Sequence, residues 1–187
     1  MQEVSVSGLR QVLSVYLDAF SSPKWDPIVK FTENSMREIV KTKIVVIEDC
    51  VDTWNQAISK TSQALYKKGY VKSAFEQHCI EREKIFPTGL NTEIPIAIPH
   101  TEAEFVNESS ICFLRLLKPI PFRSMEDPSQ FIEVQYVLNL AISDGKKQVS
   151  MLAKVIETFQ NVKLLDELAK QNIDNFEIML NQALSES

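Results

Sequence analysis

Val134-Gln135-Tyr136-Val137-Leu138-Asn139-Leu140-Ala141-Ile142 is an almost continuous apolar run in the second half of the chain. A strand with one solvated face alternates apolar and polar residues, whereas a run of this kind predicts a strand that is covered on both faces. Helices must then lie on both sides of the sheet to which the strand belongs. The stretch therefore favours an α/β fold built in layers.

Other apolar segments are predicted strands of the same sheet. Lys43–Glu48 has a β-branched centre, and Ser110–Leu117 is largely apolar. Ile94–Ile98 is a short apolar run that Pro99 stops. The run that contains the opening stretch is expected to form a strand at Ile132–Ile142. Prolines lie between the last two strands, at Pro119, Pro121 and Pro128.

Apolar residues at helical spacing predict helices before, between and after these strands. One helix ends at Lys67-Lys68-Gly69, where lysines suit the negative end of the helix dipole and glycine suits a left-handed cap, and Asp52 or Thr53 caps its start. The order of elements is mixed rather than strictly alternating, which predicts the α/β class with an α+β-like order: a single mixed β-sheet of four to five strands layered by helices on both faces. The other helices are expected at residues 8–21, around Ile28–Ile39, and at Val71–Ile85, Val149–Phe159, Val162–Ala169 and Phe176–Leu184.

Composition excludes several classes of function. The chain has 187 residues and a formal net charge of −5, and a nucleic-acid surface normally needs a basic face, so we expect no nucleic-acid partner. No apolar run approaches the roughly 20 residues of a membrane span, and the first residues lack the pattern of a signal peptide. We therefore expect a cytoplasmic protein with no direct membrane insertion.

Neither a cofactor nor a metal ion is expected. The sequence contains four glycines, too few to place a glycine-rich phosphate loop. The three cysteines, Cys50, Cys79 and Cys112, lack the spacing of a zinc site or a disulfide framework and are interpreted as reduced thiols.

The two histidines differ in setting. His100 follows Pro99 at the end of the predicted Ile94–Ile98 strand, and loops that leave strands are where sites concentrate in layered α/β folds. His78 lies inside the predicted Val71–Ile85 helix, where an exposed or half-buried structural histidine is the better interpretation. His100 is therefore the candidate for a nucleophile, a general base or a metal ligand.

Two further residues are candidates for the same site. Arg82 could offer a planar fork of donors suited to a phosphoryl group, and Thr88 a hydroxyl or a backbone N–H. The alternative is that Arg82 pairs with a nearby glutamate on the surface and that Thr88 only shapes a turn. Spacing in the sequence leaves both readings open.

Arg82-Glu83-Lys84-Ile85-Phe86-Pro87-Thr88-Gly89-Leu90 and Ile96-Ala97-Ile98-Pro99-His100 carry a resemblance to a known family. With further matches they are similar to the signature of the IIA components of the bacterial phosphotransferase system (PTS) for sugar uptake, in the fructose/mannitol superfamily. The resemblance covers about residues 42–184 and implies a PTS IIA type-2 domain at residues 42–187, preceded by an N-terminal helical extension at residues 1–41. The further matches are Leu116–Phe122, Leu138–Ala141 and Leu152–Lys154.

The galactitol branch of the family is the most similar. The similarity of this chain to the galactitol branch rests on Pro87-Thr88-Gly89-Leu90 and on the loop that contains Met125. Many fructose and mannitol members carry a second histidine near the phosphorylated one, whereas this chain has Gln148 there. Galactitol-type members resemble this chain in lacking that histidine. A glutamine can hydrogen-bond the phosphoryl group or the imidazole, but it cannot take a proton.

The resemblance also implies a mechanism and partners. His100 would accept a phosphoryl group from the carrier protein HPr and donate it to a cysteine of a IIB component, with Arg82 neutralising phosphoryl charge. Such a relay requires that the imidazole be neutral and open to solvent. The alternative in another class is a IIA-like regulatory domain of a sugar-operon transcription regulator, with His100 as a phosphorylation switch; a hydrolase that uses His100 as a general base has no accompanying nucleophile or metal ligands.

Overall fold

The structure, a computed structural model, describes residues 42–144, 151–153, 155–156, 158–159 and 161–185. The helices expected at residues 8–21 and around Ile28–Ile39 lie outside these ranges. Within them the chain forms one five-stranded mixed sheet of order β1-β4-β5-β3-β2, which confirms the predicted fold class. The strands are β1 (Lys43–Asp49), β2 (Gly89–Leu90), β3 (Ile96–Ala97), β4 (Ser110–Arg123) and β5 (Phe131–Ala141).

The sheet combines parallel and antiparallel pairs around its two long strands. β1 pairs with β4 in parallel and β4 pairs with β5 in antiparallel fashion, so that Cys112 lies opposite Asn139. β3 pairs with β5 in parallel, and β2 pairs with β3 in antiparallel fashion. β2 was not predicted, because two residues between a helix and a turn show no periodicity.

β4 is longer than its predicted end at Leu117, because it continues through Pro119 and Pro121 to Arg123. The strand tolerates these prolines for two reasons. Its register against β5 shifts between Arg115 and Ile120, so Pro119 falls in an irregular part of the ladder. The pairing with β1 ends at Leu116, so the rest of β4 is an edge strand on that side, where a missing N–H costs no ladder bond.

Four helices have defined bounds among the described residues: α1 (Trp54–Lys67), α2 (Phe75–Ile85), α3 (Val162–Ala169) and α4 (Ile173–Ser185). Thr53 precedes α1 as the N-cap, without a side-chain bond, and Gly69 follows α1 with φ +78°, as the left-handed cap predicted. The predicted start of α2 at Val71 is wrong, because Val71 forms a β-bridge with Val106 instead. Helical residues also occupy 151–153, 155–156 and 158–159, where a helix was expected.

The sheet is covered on both faces, as the opening stretch predicted. Cys112 and Phe113 are consecutive in β4 and therefore point to opposite faces. Cys112 belongs to the cluster formed with α1 and α2, which includes Ile58 and Phe75. Phe113 packs on the other face against the rings of Phe159 and Phe176, with centroids 5.3 and 4.8 Å away. In the described residues no helix is long and apolar enough to cross a membrane.

A buried polar cluster joins the sheet to both helices of the first face. Asn139 of β5 donates from Nδ2 to Thr61 Oγ1 (2.9 Å) and Ser62 Oγ (3.0 Å) of α1. The Cys79 thiol of α2 lies 3.7 Å from Asn139 Oδ1, to which it donates. All four side chains are buried, so a helix that slid along the sheet would leave polar groups without partners, which costs about 1–3 kcal/mol per group. The cluster thus fixes the helices against the strand beside His100.

Candidate functional site

Glu83 and Thr88 join the end of α2 to the turn that leads into β2. Both carboxylate oxygens of Glu83 accept hydrogen bonds from Thr88, from its N–H at 2.9 Å and from its hydroxyl at 2.7 Å. Glu83 is 5 % exposed and Thr88 1 % exposed. Burial raises the pKa of Glu83 to about 7, against the opposing effects of the Thr88 bonds and of the charges on Arg82 and Arg123. The structure thus commits both donors of Thr88 to Glu83, not to a phosphoryl group as expected.

The same turn depends on Gly89 and on an arginine from β4. A Cβ at Gly89 would lie 2.6 Å from the backbone oxygen of Arg123, closer than a carbon and an oxygen can approach, so the position requires glycine. The Arg123 guanidinium donates to the carbonyls of Glu83 and Lys84, the last turn of α2, where a cation suits the helix dipole. Pro87-Thr88-Gly89 therefore holds the end of α2 against the sheet.

His100 continues the sheet beyond β3 instead of leaving it. Pro99 accepts a backbone bond from Leu140 N–H at 2.9 Å, and His100 forms a parallel bridge with Leu140. The ring nitrogen Nδ1 lies 2.8 Å from the carbonyl oxygen of Ile98. A carbonyl oxygen can only accept, so in the neutral ring the proton is on Nδ1 and the lone pair is on Nε2.

The expectation that His100 stands open to solvent is wrong for this structure, because the residue is 1 % exposed. Pro99 does not end the pairing, so His100 remains at the level of the sheet and is buried there. Burial lowers the pKa of His100 to about 4, against the opposing effects of the Ile98 carbonyl and the Glu102 charge. The ring is therefore neutral at pH 7, as the mechanism requires, but it is not accessible in this conformation.

Arg82 lies in α2, the helix on which Phe105 of the loop after His100 packs. Its side chain is half-buried, and its guanidinium lies 5.6 Å from the centroid of the Phe86 ring. Burial lowers the pKa of Arg82, and the charges of Glu83 and Glu102 oppose this. The charge of Glu102, two residues beyond His100, acts on both Arg82 and His100.

The loop after His100 is attached to α2 at a second point. The ring of Phe105 stacks on His78, with centroids 3.9 Å apart and planes inclined by 20°. The N–H of Lys72 donates to the Phe105 carbonyl at 2.9 Å. His78 is half-buried, as predicted, and it lies beside the loop that begins at His100.

Sequence reasoning predicted Arg82 and His100 but missed three parts of this arrangement. Glu83 lies within the run that carried the family resemblance, and its spacing of five from Thr88 across a helix end was a usable signal. Glu102 and the Ile98 carbonyl had no signal apart from their closeness to His100. Gln148 lies outside the described residues. No group of three or more His, Cys, Asp or Glu side chains in the described part of the chain is placed to hold a metal ion.

The fold and this group of residues define a class of protein. The crystal structure of IIA mannitol from Escherichia coli matches with a TM-score of 0.59 at 22 % identity, over 76 % of this chain and 95 % of that one. The IIA protein in a complex of enzyme IIA mannitol with phosphorylated enzyme IIB mannitol from the same organism matches with a TM-score of 0.60 at 21 % identity, over 78 % and 95 %. At these identities the matches show the fold, an α/β IIA fold.

The family follows from the sequence match. Residues 38–182 match the model of the phosphoenolpyruvate-dependent sugar phosphotransferase system, EIIA 2, and the chain belongs to this family. The recognition made from the sequence is therefore confirmed. The division between residues 1–41 and 42–187 remains a prediction.

The curated relatives that match this chain include three kinds of protein. The galactitol-specific EIIA component of Escherichia coli (strain K12) is 28 % identical over 115 residues, 61 % of this chain and 76 % of that protein. Multiphosphoryl transfer protein 1 of the same strain is 25 % identical over 156 residues, 82 % of this chain but 18 % of that protein. The transcriptional regulator ManR of Bacillus subtilis (strain 168) is 36 % identical over 63 residues, 34 % of this chain and 9 % of that protein.

Proposed function

We propose that this chain is a cytoplasmic phosphocarrier in which His100 accepts a phosphoryl group from phospho-HPr and passes it to a cysteine of a IIB component. Membership of the EIIA 2 family gives the chain a phosphotransfer role in the sugar phosphotransferase system. The observation that carries the residue assignment is the bond between His100 Nδ1 and the Ile98 carbonyl, because it leaves the lone pair on Nε2. The nucleophile is therefore Nε2.

The transfer needs no proton to move at His100. Nε2 attacks the phosphorus of the donor as the donor's N–P bond breaks, and the electron pair of that bond returns to the donor imidazole. Nδ1 keeps its proton and its bond to Ile98 throughout, so the ring does not turn. Phosphoryl transfer depends mainly on position and on charge stabilisation, and Arg82 is the cation that the group around His100 supplies.

Access to the ring is a separate requirement. A residue that is 1 % exposed cannot meet the active residue of a partner protein, so Nε2 must become exposed before transfer. At any pH well above about 4 the buried ring is already neutral before it becomes exposed. The described conformation is therefore a resting one, and partner binding or a prior opening step gives the reactive one.

The partner is proposed to be a galactitol-type IIB component, on the support of the galactitol-specific relative at 28 % identity. A second candidate function, a regulatory domain with His100 as a phosphorylation switch, is supported by the match to ManR over 63 residues. The two candidate functions differ in whether a IIB cysteine accepts the phosphoryl group from His100. A carrier loses its phosphoryl group rapidly to a IIB cysteine, whereas a switch retains it when IIB is added.

The test is phosphorylation with phosphoenolpyruvate, enzyme I and HPr, followed by mapping of the label. We expect an acid-labile phosphoryl group on Nε2 of His100, which ³¹P and ¹H–¹⁵N NMR distinguish from a group on Nδ1, and its loss when a galactitol-type IIB protein is added. A protein that stays unlabelled with every HPr supplied would refute both candidate functions.

Arg82→Ala is expected to slow phosphorylation by about 10²–10³-fold, the usual cost of removing one charge-stabilising group from a transfer site. The initial rate of label uptake at limiting phospho-HPr measures the effect. Lys84→Ala is the matched control, since Lys84 is a neighbouring cation whose side chain is exposed at the same helix end. Both variants are expected to fold. Wild-type uptake by the Arg82 variant would remove this residue from the site.

A further inference from the structure

Glu102 is held in a defined position at the start of the loop that follows His100. Its Oε2 accepts a hydrogen bond from the hydroxyl of Thr101, a residue that is itself 1 % exposed. Its backbone carbonyl accepts from Phe105 N–H at 3.2 Å, which closes a turn of 3-10 helix (Ala103–Phe105). The stack of Phe105 on His78 then fixes this turn on α2. The carboxylate is thus held by Thr101 and the backbone by the turn, while the residue remains exposed to solvent.

The charge of Glu102 acts on the two residues that the phosphoryl group would meet. It works against the lowering of the pKa of His100 and against the lowering of the pKa of Arg82. Burial opposes the ionisation of Glu102, but the Thr101 hydroxyl, the local backbone and the charges of Arg82 and His78 outweigh it and hold the pKa of Glu102 below its usual value. At neutral pH the ionised carboxylate of Glu102 therefore acts on both the nucleophile and the cation.

We propose that Glu102 sets the phosphoryl-transfer potential of His100, by balancing the charge of Arg82 before transfer and repelling the phosphoryl group after it. This inference rests on the proposed phosphocarrier function. Glu102 neither forms a bond to phosphorus nor exchanges a proton; it acts only through its charge. A phosphoryl group on Nε2 brings negative charge to a place where the charge of Glu102 already offsets that of Arg82, so the group is bound less tightly and leaves more readily.

This role suits a relay, which must both accept and release the phosphoryl group. A site with Arg82 and no opposing carboxylate would hold the phosphorylated form more firmly and donate more slowly. A unit charge that acts on a partly solvated site changes such an equilibrium by about tenfold. Salt screens the interaction, so the effect should shrink as ionic strength rises.

The test compares Glu102→Gln with Glu104→Gln and Glu102→Asp. Glutamine keeps an acceptor for the Thr101 hydroxyl and removes the charge, Glu104 is an exposed acid in the same turn, and aspartate keeps the charge. The measured quantity is the equilibrium constant for phosphoryl exchange with HPr after enzyme I is removed, taken from ³¹P signal areas at several salt concentrations. We expect Glu102→Gln to shift this equilibrium about tenfold toward the phosphorylated form of this protein at low salt, and less at high salt. The other two variants are expected to stay near the wild-type value.

The outcomes separate this inference from the function on which it rests. A wild-type protein that takes up no phosphoryl group overturns the phosphocarrier function, and this inference with it. Uptake by wild type with an unshifted equilibrium in Glu102→Gln overturns the role of Glu102 alone. An equal, salt-independent shift in Glu102→Gln and Glu102→Asp also overturns it, because the cause would then be the altered loop rather than the charge.

Discussion

Asparagine in place of His100 is expected to abolish phosphoryl uptake from phospho-HPr, by at least about a thousandfold, because no other described group can replace the nucleophile. The asparagine amide can still donate to the Ile98 carbonyl, so the end of β3 keeps its local bond. Radioactive or ³¹P-detected uptake with excess enzyme I measures the loss. The folded state is checked by circular dichroism and by the urea midpoint.

His78→Asn is the matched control, since His78 is the chain's other histidine and its ring stacks on Phe105 of the loop that His100 begins. It is expected to take up phosphoryl groups at a rate within a few-fold of wild type. Full labelling of His100→Asn, or loss of label only in His78→Asn, would place the phosphorylated residue elsewhere.

Much of the fold follows from sequence because the relevant signals are local. The apolar run of β5 predicted a strand covered on both faces, and Cys112 and Phe113 of its neighbour do face two different layers. Lysines and glycine at the end of α1 predicted a left-handed cap, which Gly69 forms. These features depend on side-chain periodicity and backbone preference within a few residues.

The parts that sequence did not predict depend on contacts that form only in the folded structure. Pro119 and Pro121 suggested the end of a strand, but an irregular register and an edge position let β4 continue. His100 looked exposed because a proline precedes it, yet its bridge to Leu140 keeps it in the sheet. Thr88 looked like a phosphate donor until its partner, Glu83, could be seen. The first two errors came from strand pairing between segments far apart in the sequence, and the third from a side chain five residues away across the end of a helix.

Glu83→Gln is expected to change how stability depends on pH, because two buried groups in wild type titrate in opposite senses. The pKa of Glu83 is about 7 in the folded protein and 4.5 in the reference state, so the folded state binds the extra proton and stability falls as pH rises from about 4.5 to 7. The pKa of His100 is about 4 against 6.5, so the unfolded state binds the extra proton and stability rises with pH from about 4 to 6.5.

Each of these two pKa shifts changes the free energy of unfolding by about 3 kcal/mol over its pH range. In wild type the two contributions nearly cancel between pH 4.5 and 6.5, so the free energy of unfolding should vary little there. Glutamine at position 83 removes one of them, and it can still accept from the Thr88 N–H and donate to the Thr88 hydroxyl. The free energy of unfolding of Glu83→Gln should therefore rise by about 3 kcal/mol from pH 4 to 6.5.

Urea unfolding at intervals of half a pH unit measures this slope, and His100→Asn gives the mirror image. With His100 removed, the Glu83 titration is no longer opposed, so the free energy of unfolding should fall by about 3 kcal/mol from pH 4.5 to 7. Other carboxylates contribute equally to all three proteins and cancel in the differences. If both variants run parallel to wild type across this range, Glu83 and His100 have ordinary pKa values, and the burial that keeps the imidazole neutral is not present in solution.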